Sequence, residues 1–255
     1  MKKLLVLICC LVFSLMLAGC GSKTDAEKKV LRVATTANFP PFEYFQPNSG
    51  IHTGFDIDLM RELGKNLGYD KVEFVNVDFP KLLDGLEAKE YDAVISGLAI
   101  TPEREEKAAF TKPYISDGLT IVLPVGTKFP NEVESLKNKR VAVESGSIAF
   151  DWVMGHTHAS NIVVTDSTEE AIKAVVEDRA DCMVASKLAV AFLLAHGFSD
   201  SVRFAGDNVL VEDRIGIAVN KENTALLEQF DAELEKYRKT PAYKQLVRTY
   251  FGSVR

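Results

Sequence analysis

The first group in the sequence with clear chemical potential is an arginine that follows a helix-start signal. The stretch Ser96–Arg104 (SGLAITPER) runs from a short apolar strand through a turn of small residues into Thr101–Glu103, whose residue types favour the first positions of a helix. Such a turn leaves backbone N–H groups free near a helix N terminus, where they bind anions. The guanidinium of Arg104 could add a two-pronged contact to a carboxylate or a phosphate. An ordinary strand–turn–helix, in which Arg104 pairs with a neighbouring glutamate, fits the same stretch.

Other residues with reactive side chains are sparse. His156 and His158 are two residues apart with no cysteine nearby, which is a weak metal signal, and we interpret the histidines as surface residues. Cys182 lies in an apolar strand, where a cysteine is typically a small buried hydrophobe. The sequence has no phosphate-binding glycine loop of the Walker or dinucleotide type. We therefore predict neither a metal site nor a cofactor.

The first twenty residues have the pattern of a secretory signal peptide. Lys2 and Lys3 precede a nearly all-apolar run that is too short for a typical membrane span of about 20 residues. The Leu17–Cys20 sequence resembles a bacterial lipobox, which implies that residues 1–19 are removed and that Cys20 is lipidated. We expect residues 20–29 to be the lipidated N terminus and a flexible tether, which would hold the protein at the outer face of the cell membrane or in the periplasm. An ordinary secreted protein that is cut elsewhere is the alternative.

Charge and size limit the classes of function. The 255 residues include 30 Lys or Arg and 36 Asp or Glu. Loss of residues 1–19 removes two lysines only, so the mature chain has 28 basic and 36 acidic residues and a net charge of −8. This balance argues against nucleic acid as a partner. The 236 residues that remain after the 19 are removed suit one large domain or two lobes.

A regular alternation of strands and helices surrounds the Arg104 stretch. Apolar runs predict strands at 30–34, 72–75 and 93–96, with helices at 54–67 and 81–88 between them. This βαβαβ order predicts a parallel sheet with right-handed crossovers. Residues 38–44 are predicted to form a loop, because paired prolines cannot join a strand ladder. A second α/β set is predicted from strands at 140–143, 162–164 and 181–184 and helices around Phe150 and at 168–176 and 187–195. Two long apolar strands, at 118–124 and 214–219, lie where the chain passes between the halves, and helices at 224–239 and 241–251 end it.

The order of these motifs resembles a known family. Gly54–Leu59 (GFDIDL) followed by Leu63 is similar to the signature of the extracellular solute-binding proteins of ABC transporters, in the polar amino-acid-binding group called family 3. Tyr91–Ala93 and Ile100–Arg104 also stand at family-like places. The resemblance covers essentially the whole mature chain. It implies the periplasmic-binding-protein (Venus flytrap) fold, with two α/β lobes joined by two hinge strands and the ligand between them. Lobe 1 would comprise 30–122 and 216–255, and lobe 2 would comprise 125–213.

The resemblance also implies the positions of the ligand site. Arg104 matches the arginine that clamps the α-carboxylate of the ligand. The other matching positions are an aromatic that packs on the ligand, the turn before the arginine, the lobe 2 turn and the position after the strand at 181–184: Phe39, Ser96, Gly97, Ala99, Ser147, Ile148 and Ser186. Two of these have ordinary alternatives, because Phe39 could belong to the core and Ser147 could be a helix N-cap.

Two positions depart from the family pattern at the amino end of this site. Family members usually carry an acid where this chain has Ser186, and that acid pairs with the α-ammonium of the ligand. Basic-residue binders often carry Asp where this chain has Thr36. A buried ammonium without an anionic partner is costly to desolvate. Three explanations stay open: another acid such as Glu144 or Asp213 serves, the ligand is an organic acid without an α-ammonium group, or amino-acid binding is weak or lost.

The resemblance implies a substrate-binding lipoprotein of an ABC importer. Such a protein would capture an amino acid or a related small carboxylate as a monomer, deliver it to the permease subunits and catalyse no reaction. A cyclohexadienyl dehydratase on the same fold is the enzymatic alternative, since Leu31–Thr36 is similar to its first strand. That chemistry needs a general acid, and Ser186–Val190 offers none. A ligand-sensing adaptor for a membrane receptor also shares the fold.

Overall fold

The structure, a computed structural model, describes residues 28–127, 133–207 and 209–252. The predicted signal peptide, Cys20 and residues 20–27 of the predicted tether lie outside the described residues. Within those ranges, none of the helices has the length and apolar character needed to cross a membrane.

Strands and helices alternate through both halves of the chain. The first half contains β1 (Val30–Thr35), β2 (Asn38–Phe39), β3 (Glu43–Phe45), β4 (His52–Thr53), α1 (Phe55–Asn66), β5 (Lys71–Asn76), a 3-10 turn (Phe79–Lys81), α2 (Leu82–Glu87), β6 (Ala93–Val94), α3 (Pro102–Glu105) and β7 (Ala109–Phe110). The second contains β8 (Ile115–Pro124), a 3-10 segment (Val133–Asn138), β9 (Val141–Glu144), α4 (Ile148–Met154), a 3-10 turn (Ala159–Asn161), β10 (Ile162–Thr165), α5 (Thr168–Val176), β11 (Cys182–Ser186), α6 (Lys187–Leu193), a π turn (Leu194–Phe198) and β12 (Val202–Phe204). The chain ends with β13 (Glu212–Ile215), β14 (Ala218–Val219), α7 (Thr224–Tyr237) and α8 (Pro241–Phe251).

Lobe 1 is built on a sheet with the strand order β5-β1-β6-β14-β7. Strand β1 pairs in parallel with β5 and with β6, so the predicted βαβαβ order is confirmed. Leu59 and Leu63 of α1 are fully buried, as their i, i+4 spacing predicts. Phe230 and Leu234 of α7 are buried in the same core, so the end of the chain returns to complete lobe 1.

Lobe 2 is built on a second sheet with the strand order β10-β9-β11-β8-β12, and β13 also pairs with β8. Strands β10, β9 and β11 are mutually parallel, whereas β8 pairs antiparallel with β11, β12 and β13. The chain therefore has the expected two-lobe α/β fold. The lobe boundaries remain a prediction, and the predicted boundary at residue 122 lies inside β8, whose second half is paired within lobe 2.

The predicted strand at 214–219 is wrong as a single strand. Strand β13 ends at Ile215 on β8, and β14 begins at Ala218 on β6 of the other sheet. A Cβ atom on Gly216 would lie 2.9 Å from Cδ1 of Ile100, so glycine lets the backbone pass close to this side chain. The chain thus crosses between the lobes at residues 216–217.

Two other local predictions also need correction. The predicted loop at 38–44 contains the antiparallel pair β2 and β3, because Pro40 and Pro41 lie in the turn between the strands and leave the ladder intact. The helix predicted to reach residue 195 is α-helical only to Leu193. It ends in the π turn, where Gly197 has a φ of 124° that breaks the helix.

Candidate functional site

A cavity lies between the two lobes and is lined by residues of both. Its lining includes Phe79, Asp117, Leu119, Glu144, Thr168, Asp213, Ile215 and seven of the eight predicted ligand-binding residues, which are Phe39, Gly97, Ala99, Arg104, Ser147, Ile148 and Ser186. The structure therefore brings together residues from β2, α3, α4 and β11 that are distant in the sequence.

Arg104 bridges the lobes at one end of this cavity. It lies in the first turn of α3, where the Thr101 hydroxyl accepts a hydrogen bond from its backbone N–H at 3.3 Å. The guanidinium donates from Nη1 to the carbonyl of Ala99 at 2.8 Å and from Nη2 to the carbonyl of Gly146 in lobe 2 at 3.1 Å. Its carbon lies 5.5 Å from the ring centroid of Phe79, a cation–π distance. Both hydrogen-bond acceptors are carbonyls, so the interpretation in which Arg104 pairs with a neighbouring glutamate is wrong.

The guanidinium keeps donors and charge for a ligand. An arginine has five N–H donors in a fixed fork, and the two protein bonds above occupy two of them. Burial lowers the pKa of Arg104. Because the pKa of arginine is ordinarily above about 12, the group stays charged at neutral pH. Arg104 can therefore bind a carboxylate in the cavity.

The turn before Arg104 is shaped by glycine and by an aromatic side chain. Gly97 has a φ of 51°, and a Cβ atom there would lie 2.6 Å from Cε1 of Phe39. Phe39 in turn stacks on Phe42, with ring centroids 5.2 Å apart and planes within 6°. This close packing lets the Gly97 backbone form part of the cavity wall.

Ala99 faces the cavity through its backbone. It forms an antiparallel bridge with Ile215 that is flanked by hydrogen bonds from Ile100 N to Arg214 O at 2.7 Å and from Gly216 N to Leu98 O at 3.1 Å. In such a non-hydrogen-bonded pair the N–H and C=O groups point away from the partner strand. The C=O of Ala99 accepts a hydrogen bond from Arg104. The N–H of Ala99 is directed to the same side of the strand as this C=O.

Ser96 is placed beneath the cavity wall. Its hydroxyl is fully buried, donates to Oε1 of Glu43 at 2.7 Å and accepts from the backbone N–H of Thr36 at 3.0 Å. Asp56 is also fully buried and accepts from Gly97 N at 2.7 Å and from the Tyr114 hydroxyl at 2.8 Å. The structure thus separates Ser96 from the other predicted site residues and gives its hydroxyl a supporting position.

Two buried acids hold this support together. Burial raises the pKa of Glu43 well above 4.5 and that of Asp56 to about 7. Asp56 lies in the first turn of α1, and its carboxylate anchors the backbone N–H of Gly97. The sequence signal was the Gly54–Leu59 signature itself, whose function is therefore partly to fix the cavity wall.

Ser147, in the lobe 2 turn, is both a helix N-cap and a residue of the cavity lining. Its hydroxyl accepts from Phe150 N at 3.1 Å, as an N-cap of α4, and donates to Glu144 O at 2.8 Å. The hydroxyl therefore holds the turn, while Ser147 and Ile148 also line the cavity. Gly146, with a φ of 71°, directs its carbonyl at Arg104.

Asp117, Glu144 and Asp213 are the acids that line the cavity. Asp117 accepts from the Ser186 hydroxyl at 2.5 Å and from Leu188 N at 3.1 Å. Glu144 accepts from the Thr168 hydroxyl at 2.8 Å. Oδ1 of Asp213 is buried and has no hydrogen-bond partner among the residues that the structure describes. The cleft therefore contains acids outside Ser186–Val190, and two of them, Glu144 and Asp213, are the alternatives named from the sequence.

The pKa values of these acids are raised. Burial raises the pKa of Glu144 from 4.5 to about 7. Burial, followed by the nearby charge of Asp117, raises that of Asp213 from 3.8 to about 7. Burial also raises the pKa of Asp117. Sequence reasoning missed Asp117, which directly precedes the strand predicted at 118–124 and lies inside β8 in the structure.

Residues considered for other chemistry lie outside the cavity. His156 and His196 each contact the backbone carbonyl four residues before, Trp152 O and Phe192 O, both at 2.7 Å. Cys182 is fully buried, and burial raises the pKa of its thiol to about 12. Within the described ranges, no three His, Cys, Asp or Glu side chains are grouped so as to hold a metal ion.

The chain is similar to known proteins along nearly its whole length. A family model described as bacterial extracellular solute-binding proteins, family 3, matches residues 31–253. The putative ABC transporter arginine-binding protein 2 of Escherichia coli (strain K12) is 33% identical over 257 residues, which cover 98% of this chain and 99% of the relative.

Solved structures show the same similarity. An ancestral arginine-binding protein bound to arginine has a TM-score of 0.81 and 33% sequence identity, and the match covers 88% of this chain and 99% of that chain. An ancestral amino acid-binding protein, AncCDT-1, a precursor of cyclohexadienyl dehydratase, has a TM-score of 0.79 and 31% identity, with 88% of this chain and 96% of that chain covered. All three similar proteins are named as binding proteins, so the dehydratase alternative is not favoured.

Proposed function

The chain belongs to the bacterial extracellular solute-binding proteins of family 3, and from this premise we propose that it binds an amino acid between its lobes and delivers it to the permease subunits of an ABC importer. The observation that supports this most directly is the placement of Arg104. Its guanidinium donates to backbone carbonyls of both lobes, and the cavity that it lines also contains the acids Asp117, Glu144 and Asp213. This arrangement suits a ligand with a carboxylate at one end and a cationic group at the other.

The carboxylate end of the ligand would bind at Arg104. The guanidinium fork provides charge-assisted donors, and the backbone N–H of Ala99 provides a further donor on the same side. Ser147 and Ile148 would close this end from lobe 2, and the Phe39 and Phe79 rings would pack against the apolar part of the ligand. A ligand that binds both lobes favours the closed arrangement.

The acids in the cavity favour a ligand with a cationic group. Among the lining residues that the structure describes, Asp117, Glu144 and Asp213 are acidic and Arg104 is the one cation. An ammonium group would give these acids a cationic partner, which an organic acid without an amino group does not provide. The arginine-binding names of the relative and of the solved structure support a basic amino acid as the first candidate.

We propose that the protein catalyses no reaction. The similar proteins are named as binding proteins, and one of them is described as a precursor of a dehydratase. Because the cleft contains acids with raised pKa values, a turnover assay is needed as well as a binding assay. Incubation with prephenate and with arogenate should leave both substrates unchanged, and turnover of either would support the dehydratase instead.

The N-terminal sequence suggests where in the cell the protein acts. We propose that Cys20 carries the acyl chains, such as palmitate, that anchor the mature protein as a monomer to the outer face of the cell membrane or in the periplasm. A Cys20→Ser variant should then move from the membrane fraction to the soluble fraction and lose label from radioactive palmitate. Copurification of the native protein with a permease, rather than with a membrane receptor, would distinguish an importer component from a sensing adaptor.

Isothermal titration calorimetry of the mature protein tests the central proposal. The panel consists of the twenty amino acids, ornithine and a set of carboxylic acids that lack an amino group. We expect saturable binding of at least one amino acid, with the basic ones tightest. Absence of binding to every amino acid would refute the proposal, and binding of only the carboxylic acids would replace the ligand class.

A further inference from the structure

We propose that Asp117 and Asp213 together form the subsite for the ammonium group of the ligand. The inference rests on the proposed amino-acid binding and adds the residues that recognise the amino end. It concerns the position at which this chain departs from its family, because Ser186 stands where other members usually carry the acid.

Asp117 and Asp213 are cross-strand neighbours. In the antiparallel pairing of β8 with β13, residue 117 lies directly opposite residue 213. Directly opposed residues of an antiparallel pair have their side chains on the same face, with Cβ atoms about 4.5–5.5 Å apart. Both residues line the cavity, so two carboxylates face it from the strands at which the chain passes between the lobes.

Such a pair of like charges is unfavourable without a cation between them. Opposed like charges destabilise a sheet: burial and then the nearby Asp117 charge raise the pKa of Asp213, and the Arg104 charge lowers it. Asp117 accepts from two neutral donors, the Ser186 hydroxyl and Leu188 N, and the charge of Lys187 lowers its pKa. Oδ1 of Asp213 is buried without a partner among the described residues. An ammonium group carries one positive charge and three N–H donors, so it would offset one of the two negative charges and satisfy the unpartnered oxygen.

The position of Asp117 explains the serine at 186. Strand β8 also pairs with β11, and Leu119 lies opposite Ser186 in that register. Asp117 is two residues from Leu119 and therefore projects from the same face of β8. Its carboxylate lies within hydrogen-bond distance, 2.5 Å, of the side chain that replaces the usual acid. The negative charge is thus supplied to the same place from the neighbouring strand.

Variants at these positions test the inference. The ligands are the amino acid that binds tightest in the calorimetric panel and the same carboxylic acid without its amino group. Asp117→Asn and Asp213→Asn should each weaken binding of the amino acid by about 30-fold or more and change binding of the deaminated acid by less than about threefold. Asparagine keeps an acceptor for Ser186 and Leu188, so the fold should persist. Asp200→Asn, which removes an exposed acid, is the matched control.

A relocation variant tests the place of the charge. The double change Asp117→Ser with Ser186→Asp returns the acid to the usual family position. It should recover most of the amino-acid affinity that Asp117→Ser alone loses. A structural role of Asp117 in holding α6 would lower the melting temperature and would affect both ligands equally, which would overturn the inference.

The outcomes separate this inference from the proposed function. If the wild type binds no amino acid, the proposed function fails and this subsite fails with it. If the wild type binds an amino acid and both asparagine variants bind it within threefold, only the assignment of Asp117 and Asp213 is overturned. If a variant does not fold, the affinities of the wild type for the two ligands test the inference. Equal affinity for the amino acid and for its deaminated analogue would overturn ammonium recognition.

Discussion

Replacing Arg104 with alanine removes the cation that we place at the carboxylate of the ligand. The guanidinium is largely buried and makes two hydrogen bonds to the protein, one in each lobe. Its loss would leave the ligand carboxylate in the cavity without a charged partner and would also remove the contact with Gly146 of lobe 2.

The magnitude follows from the burial of this contact. Truncation of one partner of a buried, hydrogen-bonded charge pair costs about 2–5 kcal/mol in binding free energy. At about 1.4 kcal/mol for each factor of ten, this corresponds to a Kd that is about 30-fold to 4,000-fold higher. Arg104→Lys keeps the charge and loses the fork, so we expect a smaller loss of about tenfold.

Isothermal titration calorimetry at pH 7 measures these changes. Arg104→Ala should weaken binding of the amino acid and of its deaminated analogue to a similar extent, since both ligands contain the carboxylate. Arg248→Ala is the matched control, because Arg248 is exposed on α8 and outside the cavity. Melting temperatures of all variants establish that they are folded.

The result that would refute this reasoning is a small or selective effect. If Arg104→Ala binds the amino acid within threefold of the wild type, Arg104 does not hold the carboxylate. If Arg104→Ala weakens binding of the amino acid and leaves binding of the deaminated analogue unchanged, the orientation of the ligand is reversed from the one proposed.

Three further substitutions test the support of the site. Gly97→Ala places a Cβ atom 2.6 Å from Phe39 at a φ of 51°. Titration calorimetry should therefore show about tenfold weaker ligand binding, and urea denaturation should show a free energy of unfolding that is lower by about 1–2 kcal/mol. Tyr114→Phe removes the hydroxyl that donates to Asp56 at 2.8 Å, and unfolding at pH 8 should be easier by about 1–3 kcal/mol. The pKa of Glu144 is raised from 4.5 to about 7, so its ionisation lowers wild-type stability as pH rises through this window. The free energy of unfolding of Glu144→Gln, relative to that of the wild type, should therefore be about 2–3 kcal/mol higher at pH 8 than at pH 4.5. Parallel profiles of unfolding free energy against pH for the two proteins would contradict this.

Local signals in the sequence were sufficient for several elements. The predicted bounds of α5 and α8 agree with the structure because the hydroxyls of Ser167 and Thr240 cap these helices within the first turn. The parallel βαβαβ order also followed from the sequence, since helix-separated strands pair in few ways. Such interactions involve residues that are close together in the chain.

Features that depend on distant residues could not be predicted. The break at Gly216 reflects its contact with Ile100, more than a hundred residues earlier. The hydroxyl of Ser96 is turned away from the cavity by Glu43, which is 53 residues away in the chain. Composition and periodicity contain no information about either contact.

The candidate site was predictable to the extent that its motifs are shared with a family. Arg104 and the turn before it were identified from the resemblance, and the structure places them on the cavity. Asp117 was missed because its relevance depends on the register of β8 with β13, which brings Asp213 opposite to it. Departures from a family pattern therefore need the strand register to be interpreted.

The returning end of the chain has a consequence for synthesis of the protein on the ribosome. Strand β14 lies between β6 and β7, yet its residues, Ala218–Val219, are translated after all of lobe 2. Phe230 and Leu234, which fill the core beside α1, are translated later still. Domains generally fold as units during translation, and contacts of long sequence separation form slowly. Lobe 2 can therefore fold while the chain is still growing, whereas lobe 1, although it is begun first, is completed only when the C terminus has been made.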